Sequence, residues 1–147
     1  MTPLAYANVG TVLDRTTRLL KQHYLRAFRE EGIDLSTEQW VLLDRLHTDG
    51  EASQTELANG TFKDAPTVSR IIDRLAHKKL VERRRFPNDR RRYLVTLTDA
   101  GQALHARLLP AVRQLRLQTW QGLSEADYLR LQELLRHIRN NFEEEQE

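Results

Sequence analysis

The densest chemistry in this 147-residue sequence is cationic. Between residues 63 and 92 stand eleven basic side chains: Lys63, Arg70, Arg74, Lys78, Lys79, Arg83, Arg84, Arg85, Arg90, Arg91 and Arg92. Four acids accompany them (Asp64, Asp73, Glu82 and Asp89), so the stretch carries +7 in a chain whose formal net charge is +2. The remainder is net acidic, in part through Glu143, Glu144, Glu145 and Glu147. A basic module between neutral or acidic flanks suits a polyanion, because guanidinium and ammonium groups meet phosphate with both charge and several donors. A solvated charged surface is the plain alternative.

Other chemistries find few parts. The chain has no cysteine, which excludes disulfides, thiolate metal sites and thiol redox sensing. Its five histidines, His23, His47, His77, His105 and His137, form no metal-ligand spacing on one helix with acidic support, so neither a metal nor a cofactor is expected. No Gly-rich phosphate loop is present, and no serine or carboxylate pair stands in a catalytic motif, which argues against an enzyme. Apolar runs are too short to span a bilayer. The opening MTPLAYANVG lacks the basic and apolar regions of a secretory signal, so a cytoplasmic location is expected.

The elements that must carry the basic stretch are mostly helical. Val9, Val12, Leu13, Thr16, Leu19, Leu20, Tyr24, Ala27 and Phe28 form one apolar stripe from about residue 5 to 31, ended by Gly32. Ser36-Thr37-Glu38-Gln39 reads as a capping box, with Leu35 and Trp40 as its hydrophobic staple, opening a helix that stops near Gly50. A second box, Ser53-Gln54-Thr55-Glu56, opens a short helix. Asp64 then caps a fourth, with Pro66 in its first turn, where a missing N–H costs nothing. There Val68, Ile71, Ile72 and Leu75 follow i, i+3, i+4, i+7, which turns Pro66, Ser69, Arg70 and Asp73 outward and leaves Thr67, Arg74 and His77 at the margins.

After Leu80 the period changes. Glu82 to Arg85 and Arg91 to Thr98 read as two strands, with Tyr93, Val95 and Leu97 on one face and a turn over Phe86–Arg90. A helix from about 99 to 121 follows, and Ser124-Glu125-Ala126-Asp127 opens the last, striped by Tyr128, Leu131, Leu134, Leu135, Ile138 and Phe142.

Helix, short helix, polar-faced helix and basic hairpin make a winged helix-turn-helix. A helix entering the major groove needs an apolar face to hold it and short donors with arginine on the other. Lys63, Pro66, Thr67, Ser69, Arg70 and Arg74 supply that face. A wing needs arginine for the narrow, electronegative minor groove, and the hairpin offers Arg85, Asp89, Arg90 and Arg91.

In these residues the chain resembles the MarR (multiple antibiotic resistance regulator) family. Asp89-x-Arg91-x-x-x-Val95-x-Leu97-Thr98-x-x-Gly101 matches the family's wing-to-helix signature at every fixed position. Glu56-Leu57-Ala58, Pro66-Thr67-Val68-Ser69-Arg70, Asp73-Arg74-Leu75 and Leu80-Val81-Glu82-Arg83 add to it. One position departs: the family usually has Gly where Lys79 stands, so the lysine must either adopt a left-handed conformation at some cost or end the helix differently.

The resemblance implies a mainly α fold with a small β-wing (α+β) in a single domain over 1–147. Its winged helix-turn-helix lobe would lie at 35–98, and 1–32 and 99–147 would be dimerisation helices. It also implies a homodimeric regulator of transcription, expected to be a repressor released by a small molecule, on a pseudo-palindromic double-stranded operator. Arg91 would reach the minor groove with Asp89 pairing to its guanidinium, and Arg70 and Thr67 would be recognition contacts. The family's aromatic or anionic effectors point to His23, Tyr24, Trp40 and His47 as a ligand-lining set, for which plain core packing is the alternative. A winged helix that docks protein instead of DNA is the rival reading; it would not need Arg and Ser in register on the exposed face.

Overall fold

A computed structural model describes residues 8–61 and 63–143, and of Arg90 the backbone alone. The order is α1 (Val9–Glu30), α2 (Thr37–Asp49), β1 (Glu51–Ser53), α3 (Gln54–Thr61), α4 (Ala65–His77), β2 (Val81–Phe86), β3 (Asp89–Leu97), α5 (Asp99–Thr119) and α6 (Glu125–Glu143). Among the described residues no helix is long and apolar enough to cross a membrane. Two compact units divide the chain, one through Val112 and one from Arg113 onward.

Local sequence accounts for the helix ends in the first unit. The capping box before α2 is closed in both directions, with the Gln39 N–H donating to Ser36 Oγ at 3.1 Å and the Ser36 N–H to Gln39 Oε1 at 3.2 Å. Gly50 ends α2 at φ +83, a value at which a Cβ would be strained. The box before α3 is half made: the Glu56 N–H donates to Ser53 Oγ at 3.1 Å.

The core forms where helical stripes converge. Leu42, Leu43 and Leu46 of α2, Leu57 of α3, and Val68, Ile72 and Leu75 of α4 are fully buried, together with Phe28, Val95, Leu108 and Val112. The i, i+3, i+4, i+7 set on α4 is thus its buried face, and α4's opposite face is free for other work.

The sheet has order β1-β3-β2 and is antiparallel throughout. The hairpin strands run longer than the sequence pattern indicates, leaving a two-residue turn at Pro87 and Asn88. The register passes from Arg85↔Tyr93 to Phe86↔Asp89, so residues 90–92 form a bulge with no partners on β2. Arg91 and Arg92 therefore leave the strict in-out alternation that a strand would impose. Strand β1 is not visible in the sequence pattern: it is three residues long, and its Ser53 also caps the helix that follows.

Leaving α4, the chain makes a Schellman turn. The Lys79 N–H reaches the Ala76 carbonyl at 2.9 Å and the Leu80 N–H reaches Leu75 at 3.0 Å. Lys79 has φ +60, the single described non-glycine residue with positive φ, so of the two alternatives the lysine takes the left-handed one. Thr98 then pins the turn: its N–H donates to Leu80 O at 3.1 Å and its hydroxyl to Lys79 O at 2.7 Å. The same hydroxyl accepts the Gly101 N–H at 3.0 Å, capping α5. A Cβ on residue 101 would stand 2.1 Å from Leu80 O.

In the second unit, Ser124 and Asp127 cap α6 reciprocally, with Ser124 N to Asp127 Oδ2 at 2.8 Å and Asp127 N to Ser124 Oγ at 3.1 Å. Trp120 meets Tyr128 edge-to-face at 5.0 Å. No described residue of α6 is buried.

The turn at Lys79 and Leu80 sets two opposite expected changes in stability. Gly101→Ala forces a methyl into a backbone carbonyl that cannot swing aside, and should cost about 1–3 kcal/mol. Lys79→Gly relieves a left-handed lysine and should stabilise by on the order of 1 kcal/mol. Denaturant midpoints check both; a neutral alanine at 101 or a destabilising glycine at 79 would contradict this description of the turn.

Candidate nucleic-acid interface

Helix α4 is held by its apolar face and presents a polar one. Asp64 caps it from an extended conformation, accepting the Thr67 N–H on Oδ1 at 2.8 Å and the Thr67 hydroxyl on Oδ2 at 2.9 Å. These two bonds, backbone first, hold the Asp64 carboxyl below its usual range, with the charge of Arg70 adding to them. Pro66, Arg70 and Arg74 are exposed, and Thr67 and Ser69 half-buried. The Arg70 guanidinium donates from Nη2 to Thr67 Oγ1 at 3.2 Å. The start of α4 is tied to α3 by Gln54, whose Nε2 donates to Ala65 O at 3.2 Å.

Lys63 sits half-buried in the turn between α3 and α4. Its charge is felt at Glu38, whose carboxyl is lowered mainly by its hydrogen bond from Lys21.

The wing sorts its arginines into two groups. Arg83 bonds Asp73 of α4, and Arg84 bonds Glu51 of β1 at 2.7 Å. These two are struts between elements. Arg85 and Arg91 are exposed, and Arg92 lies over the Phe86 ring at 4.8 Å. Asp89 accepts the backbone N–H of Arg91 at 2.9 Å, so its carboxylate shapes the turn at the Arg91 amide and not at the guanidinium expected to pair with it. The Arg90 side chain, also expected at this site, lies outside the described residues.

The four residues proposed to line a ligand site are only partly brought together. Trp40 stacks on His105 at 4.9 Å between centroids, and His47 stacks on the same imidazole at 4.0 Å. Tyr24 joins through Phe28, with centroids 6.2 Å apart, and Phe28 lies 6.0 Å from Trp40. His23 is not in this row. Rings at these distances leave no slot for a guest between them, so the row itself is packed.

The residue at its centre, His105, was not singled out by sequence reasoning. It is 1% exposed; its Nε2 lies 2.8 Å from Asp44 Oδ1, while its Nδ1 is buried with no hydrogen-bond partner. His47 Nδ1 lies 3.1 Å from Gln102 Oε1, so two residues of α5 grip α2 here. His105 is remote in sequence from both rings it touches, and nothing local marks it. The struts had a weak signal in the acids interspersed among the arginines, Asp73 above all.

Comparison with known proteins agrees with this geometry. Residues 35–93 match the model of the MarR family. The HTH-type transcriptional repressor NicR of Pseudomonas putida is 32% identical over 132 residues, which are 86% of this chain and 84% of that one. Among solved structures, Bordetella bronchiseptica BpsR, described for regulation of its DNA binding by 6-hydroxynicotinic acid, superposes with a TM-score of 0.77. It is 31% identical, over 90% of this chain and 94% of that one. A mutant MarR from E. coli complexed with operator DNA has a TM-score of 0.78 over 91% and 95% of the two chains; at 23% identity it attests the fold. On the family match across the lobe and the identity to NicR over most of both sequences, this chain belongs to the MarR family.

Proposed function

We propose that the chain is a homodimeric, sequence-specific repressor of transcription that binds double-stranded DNA in the cytoplasm and is released by a small aromatic or anionic molecule. The observation that carries the DNA reading is the two-faced α4, apolar and buried on one side, with Pro66, Ser69, Arg70 and Arg74 on the other, next to a wing with arginines at its bulge. That composition favours DNA over a protein-docking winged helix, which has no use for arginine and serine in register. A role as regulator, and not as enzyme, follows the same lines.

Lys63, Pro66, Thr67, Ser69, Arg70 and Arg74 are assigned to the major groove and its phosphates, and Arg85, Asp89, Arg90 and Arg91 to the minor groove. Two-fold symmetry would place the half-sites of a pseudo-palindromic operator about one turn, roughly 10 bp, apart. The dimer reading is supported by the uncovered apolar stripes: Val12 and Leu19 of α1 are 59% and 56% exposed, and Leu134 and Phe142 of α6 are 45% and 70% exposed. Water-exposed leucines at that density on two long helices call for a second surface.

The effector reading is supported by the aromatic row joining α1, α2 and α5, and by the regulation of BpsR by an aromatic acid. The packed row would have to open to admit a guest, and Tyr24, Trp40 and His47, with His23 beside the row, are the proposed lining of the opened space. A guest there would act by moving α2 relative to α5 and would have to bind the DNA-incompetent arrangement more tightly.

Arg91→Ala should weaken operator binding by about 1–3 kcal/mol and leave the oligomeric state intact. Titration of both proteins against one operator checks it, and equal affinities would remove Arg91 from the interface. Light scattering on the intact chain should return twice the mass of one chain; a stable monomer would contradict the dimer. Calorimetry with hydroxylated aromatic acids, with and without operator, should give binding that lowers operator affinity. Binding without that effect would refute the switch.

A further inference from the structure

The leading end of α4 carries an acid, which is an unexpected charge on a face meant for DNA. Asp64 is exposed, and both of its carboxylate oxygens are engaged by Thr67. A threonine hydroxyl has one proton and two lone pairs. With its proton directed to Asp64 Oδ2 at 2.9 Å, Thr67 Oγ1 can only accept, and it accepts from Arg70 Nη2 at 3.2 Å. The chain of bonds therefore runs one way, from Arg70 through Thr67 to Asp64, and it requires an ionised carboxylate at its end. The Thr67 bonds that hold the Asp64 carboxyl low keep it ionised throughout the neutral range.

Two consequences follow for recognition. The Thr67 hydroxyl is committed and cannot donate to a base acceptor. Arg70 is tethered through one of its five N–H donors, so its rotamer is restricted before DNA arrives and less freedom is lost on binding. Arg74, one turn further on, has no side-chain hydrogen bond or ion pair among the described residues. It is the kind of arginine that meets phosphate without sequence preference.

We propose that Asp64 and Thr67 are positioning residues that aim Arg70 at a single guanine in each operator half-site. Thr67 reads no base through its hydroxyl. Guanine is the base chosen because its O6 and N7 present the paired acceptors that an arginine fork matches. This rests on the DNA-binding reading above.

The test uses the full chain and a duplex selected by it from a random pool. Each half-site guanine is replaced in turn by 7-deazaguanine, which removes N7 and keeps the base pair. The parent should lose on the order of tenfold in affinity at one guanine per half-site, and Arg70→Ala should lose that sensitivity. Thr67→Val, isosteric but without the hydroxyl, should largely lose it too. Thr67→Ser should restore it. Thermal unfolding of each variant separates a folding defect from an aiming defect, and the serine rescue does so independently. The proposal is overturned if Thr67→Val keeps the parent's sensitivity at that guanine, if Arg70→Ala keeps it, or if no guanine is sensitive. A parent that enriches no sequence from the pool overturns the DNA-binding reading itself, and the aiming proposal with it.

Discussion

The Leu80 carbonyl is the point on which four elements depend. It follows the Schellman turn that ends α4 and precedes β2, it accepts the N–H of Thr98 at 3.1 Å where β3 hands over to α5, and the Cα of Gly101 lies against it. Only a residue without a side chain allows that approach. The exit of α4, both roots of the wing and the start of α5 therefore share one rigid junction. A rotation of the first turns of α5 must be felt by α4 and the wing together, because interfaces packed this closely shift between discrete arrangements and do not deform smoothly.

A second grip lies across the same unit. His105 and Gln102 of α5 reach His47 and Asp44 of α2, with His105 held between the Trp40 and His47 rings. Together with the Leu80 junction this ties α5 to the lobe at two separated places, one beside α4 and one beside the aromatic row. A molecule altering the second grip has a mechanical route to the first. The wing is placed by weaker means. The Asp73–Arg83 and Glu51–Arg84 pairs are partly or largely exposed, and such pairs contribute about 0.2–1 kcal/mol each. Their consequence is directional: with Arg83 and Arg84 turned to acids on α4 and β1, the described hairpin arginines without an acidic partner are those near its bulge.

Much of this was legible in the sequence where the cause is local. Ser36 and Gln39, Asp64, Ser124 and Asp127 announce helix starts because capping is settled within four residues. The buried face of α4 follows from its period, and the wing from its turn and its alternation. What could not be read there is made by partners far apart in the chain. Strand β1 exists because Ala52 finds Val95, and the pairing of Arg84 with Glu51 depends on that strand. His105 has no local mark, so the expected ligand-lining set includes His23, which is not in the aromatic row, and omits the imidazole at its centre. The Asp89 carboxylate, expected at a guanidinium, turned to the nearer amide, as short acidic side chains in turns commonly do. Lys79 was flagged by a departure from the family pattern, and there the backbone followed the pattern even though the residue did not.

The charge and shape of α4 and the wing suit them to bind a particular DNA sequence. Titrating the intact chain against a selected duplex and a scrambled one, over a series of salt concentrations, tests it most directly. The logarithm of the binding constant should fall linearly and steeply with the logarithm of salt for both, as phosphate contacts release counterions. The selected duplex should stay bound more tightly than the scrambled one by about a thousandfold or more. Equal affinity for the two duplexes, or no binding to either at low salt, would contradict it.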